Sequence, residues 1–289
     1  MVRIFLLLLL LASISLRADQ WKVTTWNLEW FPSGKPDFVE PALEAKRTKE
    51  AADILRTIDP DVILLQEVRD EAAVQALAKA IGRGHEVVVV SRFKQGNRIG
   101  QQQQAILAKV PATAAYWREW TTRQLVNPPR GYAFAVFATP SGAKVGVYSV
   151  HLKSNAMGRD VKDRDKQTIL NRLQRELAAE QIVEHMKEVF AIPDIAPAAV
   201  VVGGDFNTDP TQERFATERT IPTLTEAGFL NPLSPLPLAK RTTIPRSGRY
   251  PDTTFDYLLF KSVKVHGEPS IVSTTVSDHR PVTFTVTVP

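Results

Sequence analysis

The chain has 289 residues, 44% of them hydrophobic and 23% charged, which is ordinary globular composition. Cysteine is absent, which excludes disulfides, thiolate nucleophiles and cysteine-ligated metals, so any metal must sit on oxygen or imidazole. That donor set favours hard cations such as magnesium, calcium or manganese. The formal net charge of +5 is unevenly spread: 91–130 carries seven basic residues (Arg92, Lys94, Arg98, Lys109, Arg118, Arg123, Arg130) against Glu119 alone. The stretch 231–250 adds four more with no acid, leaving the remainder at −5. Such clustering suits a polyanionic partner or two solvated basic loops, and the charge alone does not choose between them.

At the start, Arg3 precedes the apolar run Ile4 to Leu11, and small or polar residues follow to Ala18. A positive region, a short apolar core and a processing site make up a secretory signal. The run falls short of the ~20 apolar residues that span a bilayer. A retained amphipathic anchor is the competing reading. Residues 1–18 are thus expected to be a signal, and the protein to be secreted or periplasmic without stable membrane association. No linker or internal repeat divides 19–289, so one monomeric domain is expected there.

Short apolar runs at Val23–Trp26, Val62–Leu65, Val87–Val90, Ala105–Ala108, Phe134–Phe137, Val145–Val150 and Ala199–Val202 predict buried strands. Phe255–Phe260 and the alternating Val282, Phe284, Val286 and Val288 predict two more. Helices are predicted over Glu40–Thr57, Asp70–Ile81 and Asp163–Val189, the last with Ile169, Leu173, Leu177, Ile182 and Met186 near one face. Interspersed strands and helices define an α/β protein.

Polar residues recur where these strands end: Asn27 and Glu29, Gln66 and Glu67, His151, then Asp205 and Asn207. In α/β folds ligands gather at such ends, so one shared cleft is expected. In Gly203-Gly204-Asp205-Phe206-Asn207 the glycines permit a tight turn, after which Asp and Asn can face the same water and phosphate; a plain turn uses the same residues. Asp256 lies in an apolar stretch where an unpaired charge costs several kcal/mol, so it needs a partner. His279, in Ser277-Asp278-His279-Arg280, is the candidate, and the pairing would favour imidazolium. A buried capping carboxylate and a surface histidine are the plainer readings. Glu67 and His151 are equally open to structural roles as strand termini. His85, His185 and His266 lack such context.

The order of these motifs is more telling than any one of them. Trp26-Asn27-Leu28-Glu29, Leu65-Gln66-Glu67, His151-Leu152-Lys153-Ser154, Gly204-Asp205-Phe206-Asn207, Asp256-Tyr257 and Ser277-Asp278-His279 together resemble the endonuclease/exonuclease/phosphatase superfamily, over about 21–288. The resemblance implies a four-layer sandwich of two packed mixed β-sheets flanked by helices. It implies magnesium, with manganese or calcium as alternatives, held by Glu67, Asn27 and Asp278. It implies Asp205 as the base for a water, Asn207 orienting water and phosphate, and His279 held by Asp256 against phosphate charge. His151 matches a histidine near the leaving group that usually pairs with a carboxylate, but the corresponding region here reads Gln101 to Gln104. Arg130 and Asn27 match phosphate binders. The expected activity is that of a metal-dependent phosphodiesterase, foremost a nuclease on DNA or RNA. A lipid or inositol-phosphate hydrolase is the alternative. A binding module without turnover would be expected to have lost ligands, and every main position is filled.

Overall fold

The computed structural model describes residues 20–158, 160–248 and 250–289; the expected signal lies outside the described residues. Strands run in chain order as β1 (Gln20–Phe31), β2 (Val62–Val68), β3 (Glu86–Val90), β4 (Lys94–Gln95), β5 (Arg98–Ile99), β6 (Gln103–Ala108) and β7 (Ala112–Glu119). They continue as β8 (Gly131–Ala138), β9 (Lys144–His151), β10 (Ala199–Asp205), β11 (Asp256–Lys261), β12 (Lys264–Ile271) and β13 (Val282–Thr287). The helices are α1 (Pro41–Ile58), α2 (Glu71–Ile81), α3 (Arg164–Phe190) and the short α4 (Thr220–Glu226) and α5 (Leu238–Arg241).

One sheet has the order β12-β13-β1-β2-β6-β3 and the other β11-β10-β9-β8-β7. Both are mixed, and each contains one parallel pair, β1 with β2 and β9 with β10. Side chains alternate faces along each strand. Val62 and Leu64 therefore enter the core between the sheets, with Phe137, Val147, Val201 and Leu258 opposite. Ile63 and Leu65 point the other way, against Ala51 and Leu55 of α1 and Val74 and Leu77 of α2. Ala178, Ile182 and Met186 of α3 cover the far face of the second sheet. These are the four layers the motif order implied.

Each predicted strand and helix forms, the helices with ends shifted by one residue and the strands by up to five. Asp70 caps α2 by accepting from the Ala73 N–H, and Asp163 does the same for α3 from Lys166. The strands β7 and β12 carry no continuous apolar run because each lies at a sheet edge and is largely exposed. The β4–β5 hairpin is also solvent-facing.

The α3 stripe is only half right. Leu177, Ile182 and Met186 are buried, but Ile169 and Leu173 face outward. Inward positions of this helix go instead to Asn171, Arg175, Gln181 and His185, each hydrogen-bonded. His185 sits between two tyrosines, Nε2 2.7 Å from the Tyr116 hydroxyl and Nδ1 2.8 Å from that of Tyr148. Burial, then Arg118, depress its pKa from 6.5 to about 4. The neutral ring accepts from one hydroxyl and donates to the other; an imidazolium would need two acceptors in an apolar layer.

Between pH 6.5 and 4 the unfolded chain therefore binds the His185 proton that the folded chain refuses, and stability falls as the solution is acidified across that window. Urea titrations at pH 7 and pH 5 should show this loss, and the His185→Gln variant should show a smaller difference between the two conditions. Equal pH slopes in both proteins would remove His185 as the cause.

Candidate active site

The two parallel strand pairs finish at the same end of the sandwich. Asn27 is in register with Gln66 across β1 and β2, and Asp205 with His151 across β9 and β10. The cleft beyond these ends is built by backbone in a conformation that side chains resist. Glu29, Trp30, Glu67, Arg130 and Asn207 all have φ between 49° and 69°. Left-handed backbone in residues other than glycine collects at functional sites, where surrounding contacts hold it.

Those contacts are specific. The Asn27 amide nitrogen donates to Glu67 Oε1 at 3.3 Å and to Asp205 Oδ2 at 3.1 Å, joining a carboxylate of each sheet. Its Oδ1 accepts from the Glu29 N–H at 3.0 Å. The Trp30 N–H donates to Glu67 Oε2. Asp205 further accepts from the Asn207 backbone N–H at 2.9 Å and its amide at 3.0 Å, so Asp and Asn do face the same point. The glycines before them act differently from expectation. They lie inside β10 rather than in a turn, and a Cβ on Gly204 would sit 1.9 Å from the Val150 carbonyl oxygen.

His279 arrives from the other side. Its Nδ1–H donates to both Asp256 oxygens at 2.9 and 3.0 Å, leaving Nε2 3.8 Å from Asp205 Oδ2. Thr243 Oγ1 accepts from the Phe255 and Asp256 N–H groups, Trp26 Nε1 donates to the His279 carbonyl, and Ser277 Oγ spans the His279 N–H and the Asn27 carbonyl. Burial works against a charge on His279, but Asp256 and then Asp205 outweigh it and hold its pKa well above 6.5. Burial raises Asp205 to about 7, partly offset by His279. The pair is thus a carboxylate poised near neutrality beside an imidazolium.

His151 is its opposite. Burial, then Arg130 and His279, push its pKa well below 6.5, so the ring is neutral. Its Nε2 lies 3.5 Å from Asp205 Oδ2 and 3.6 Å from Glu67 Oε1. Its Nδ1 is buried with no hydrogen-bond partner among the described residues, consistent with glutamines where a carboxylate was expected. Gln102 accepts from Arg130, and Gln104 donates to the Gly131 carbonyl.

Two residues expected to meet metal or phosphate are engaged by the protein itself. Asn27 presents its amide nitrogen, a donor, to the two carboxylates and bridges them, while its oxygen accepts from the Glu29 N–H. Arg130 donates to the carbonyls of His151 and Leu152 and to Gln102, so it holds the His151 segment in place. Several residues of the basic stretches are likewise paired with acids. Lys109 pairs with Asp59, Arg118 with Glu188, Arg123 with Glu184, Lys240 with Glu268 and Arg241 with buried Asp209.

Glu29 is the residue to which the sequence assigned no role. Its pKa is raised by burial and then by Asp278, with Glu67 adding to the effect, so three carboxylates share the mouth of the cleft. The Asp278 N–H donates to Glu29 Oε2 at 3.3 Å, whereas the Asp278 carboxylate is largely exposed. All-oxygen donors suit a hard divalent cation. Donor atoms of Asp205, Asp256 and His279 also lie within 4.8 Å of one another, close enough to hold an ion. There, however, the cation would have to displace the imidazolium proton, whereas Glu67, Glu29 and Asp278 offer only oxygen donors but, among the described residues, are not gathered as closely.

The sequence profile of the Endonuclease/Exonuclease/phosphatase family matches residues 24–279, and the chain belongs to that family. It is a phosphodiesterase/phosphatase-type hydrolase by that membership, in a family that generally depends on a divalent metal. Solved structures share the fold. An endonuclease/exonuclease/phosphatase from Beutenbergia cavernae DSM 12333 is 16% identical with a TM-score of 0.65, covering 93% of this chain and 72% of its own. The human Nocturnin catalytic domain with bound sulfate is 15% identical with a TM-score of 0.64, covering 93% and 95%. D. rerio TDP2 complexed with single strand DNA product is 18% identical with a TM-score of 0.60, covering 92% and 98%. No curated protein matches the chain.

The contrast between the two histidines is open to direct measurement. In chelator-treated protein, 15N imidazole spectra should show His279 protonated at pH 7 and above and His151 neutral there. Asp256→Asn should bring His279 down toward ordinary values. A His279 ring that titrates at or below 6.5 in the native chain would contradict the charge assignment.

Proposed function

We propose that the chain is an exported nuclease that hydrolyses phosphodiester bonds of DNA or RNA by metal-assisted attack of water. The observation that carries this reading is the convergence of buried Asp205, raised to about 7, with the Asn207 amide and the His279 imidazolium. A base poised near the working pH combines availability with proton affinity. Asp205 takes the proton as water attacks phosphorus, the P–O bond to the departing alcohol breaks, and the alkoxide takes a proton from solvent. Asn207 and Asn27 keep that carboxylate aimed. His279, fixed by Asp256, places positive charge where the phosphate oxygens become more negative.

Glu67, Glu29 and Asp278 would hold the cation, with magnesium expected first. When bound, a divalent cation supplies Lewis-acid stabilisation of the phosphate oxygens. His151 contributes an N–H donor and no charge. Support for nucleic acid as substrate comes from D. rerio TDP2, whose structure holds a single strand DNA product. The export signal at 1–18 and a monomeric state are part of the same proposal; among the described residues no helix is long and apolar enough to cross a membrane.

Plasmid DNA, single-stranded DNA, RNA and phospholipid vesicles, each with magnesium, form the deciding panel. Nucleic acid should be cleaved, chelator should abolish cleavage, and Asp205→Ala should lower kcat by roughly 10²–10⁴-fold. Glu67→Gln should weaken magnesium binding in calorimetry without unfolding the protein. Release of phosphocholine or free phosphate from the vesicles, with all nucleic acids intact, would replace this reading with the lipid one.

A further inference from the structure

The inward face of α3 holds a charged group that the chemistry described so far does not use. Arg175 and Glu218 are each only 2% exposed and form a two-pronged pair, Nε to Oε1 at 2.8 Å and Nη2 to Oε2 at 2.6 Å. Thr220 Oγ1 also donates to Glu218 Oε1 at 2.7 Å. A buried ion pair of this kind adds little net stability compared with apolar side chains of the same volume. Its geometry is more informative. The remaining Arg175 nitrogen, Nη1, donates to the Lys153 carbonyl at 3.0 Å and to Asn155 Oδ1 at 3.1 Å.

A guanidinium has only donors, so the Asn155 oxygen must face it, and the amide nitrogen is thereby turned the other way. That nitrogen donates to the Asn207 carbonyl at 2.8 Å. Asn207 is in left-handed backbone, φ 54°, and supplies two of the hydrogen bonds that aim Asp205. The chain of contacts is therefore continuous from Glu218 through Arg175 and Asn155 to the Asn207 backbone.

We infer that Arg175 and Asn155 are positioning residues that hold Asn207, and through it Asp205, in working geometry, with Glu218 fixing the guanidinium. The inference rests on the proposed role of Asp205 and Asn207 in turnover. The Asn155 side chain bonds to Arg175 and to the Asn207 carbonyl, not to the carboxylates. It acts only through the backbone of residue 207.

Asn155→Asp separates this role from simple loop anchoring. The variant keeps an acceptor for Arg175 and loses the donor to Asn207. With bis(p-nitrophenyl) phosphate and a DNA substrate, Asn155→Asp and Asn155→Ala should each lower kcat about ten- to a hundredfold, because small misplacements are costly. KM should change by no more than about twofold, the sign of a loss confined to the transition state. Added to Asn207→Ala, neither should cause further loss. In metal-free protein, backbone amide exchange at 206–208 should quicken in both variants while melting temperatures stay near the native value.

Near-native kcat in Asn155→Asp, or losses that multiply with Asn207→Ala, would overturn the inference. If the native chain hydrolyses nothing, the proposed function fails, and the amide exchange still decides this point: unchanged protection at 206–208 in both variants overturns it as well.

Discussion

The Asn27 amide is the contact on which the site depends. One nitrogen reaches Glu67 at the end of β2 and Asp205 at the end of β10, so a single side chain couples the two sheets where they converge. The oxygen of the same amide fixes the Glu29 backbone and so fixes which way the nitrogen points. Two carboxylates facing each other across an interlayer gap would repel. A shared donor, and the His279 imidazolium behind it, make their proximity tolerable.

Around this centre the backbone is held by buried guanidinium groups. Strands that stop at a cleft leave carbonyls that no neighbouring strand satisfies, and each must find a donor. Arg47 of α1 takes those of Leu28, Glu29 and Val276, tying the end of β1 to the segment that leads into His279. Arg130 takes His151 and Leu152, and Arg175 takes Lys153. Arg47 of α1, Arg175 of α3 and Arg130, just before β8, thus collect the irregular carbonyls. Their hydrogen bonds serve the architecture of the cleft.

What the sequence revealed and concealed follows from the same physics. Continuous apolar runs such as Val62–Leu65 and Ala199–Val202 announced the central strands because both of their faces are covered. Edge strands β7 and β12 have one solvated face and gave no comparable signal. The motif order placed Asn27, Glu67, His151, Asp205, Asn207, Asp256 and His279 together. It could not show that Asn27 turns its nitrogen inward, because an amide reads the same in a sequence whichever end bonds. Glu29 stood in a quoted motif without a role, since its link to Asp278 spans 249 positions. Arg175 was invisible for a related reason: in a helical pattern a charged residue reads as solvent-facing until its partner, 43 residues away, is known.

Gly203 sets a boundary on how such a protein can diversify. It lies in β10 opposite the first sheet, where a Cβ would come within 2.5 Å of Leu64 and 2.6 Å of Leu258. The floor of the cleft therefore has no spare volume: its depth is fixed by the absence of one methyl group between two layers. New specificities on this scaffold must be written in the rim, in the turn after β1, the β4–β5 hairpin and the segments following β9 and preceding β11. Those surfaces can lengthen or change character while the distance between the opposing acids stays locked beneath them.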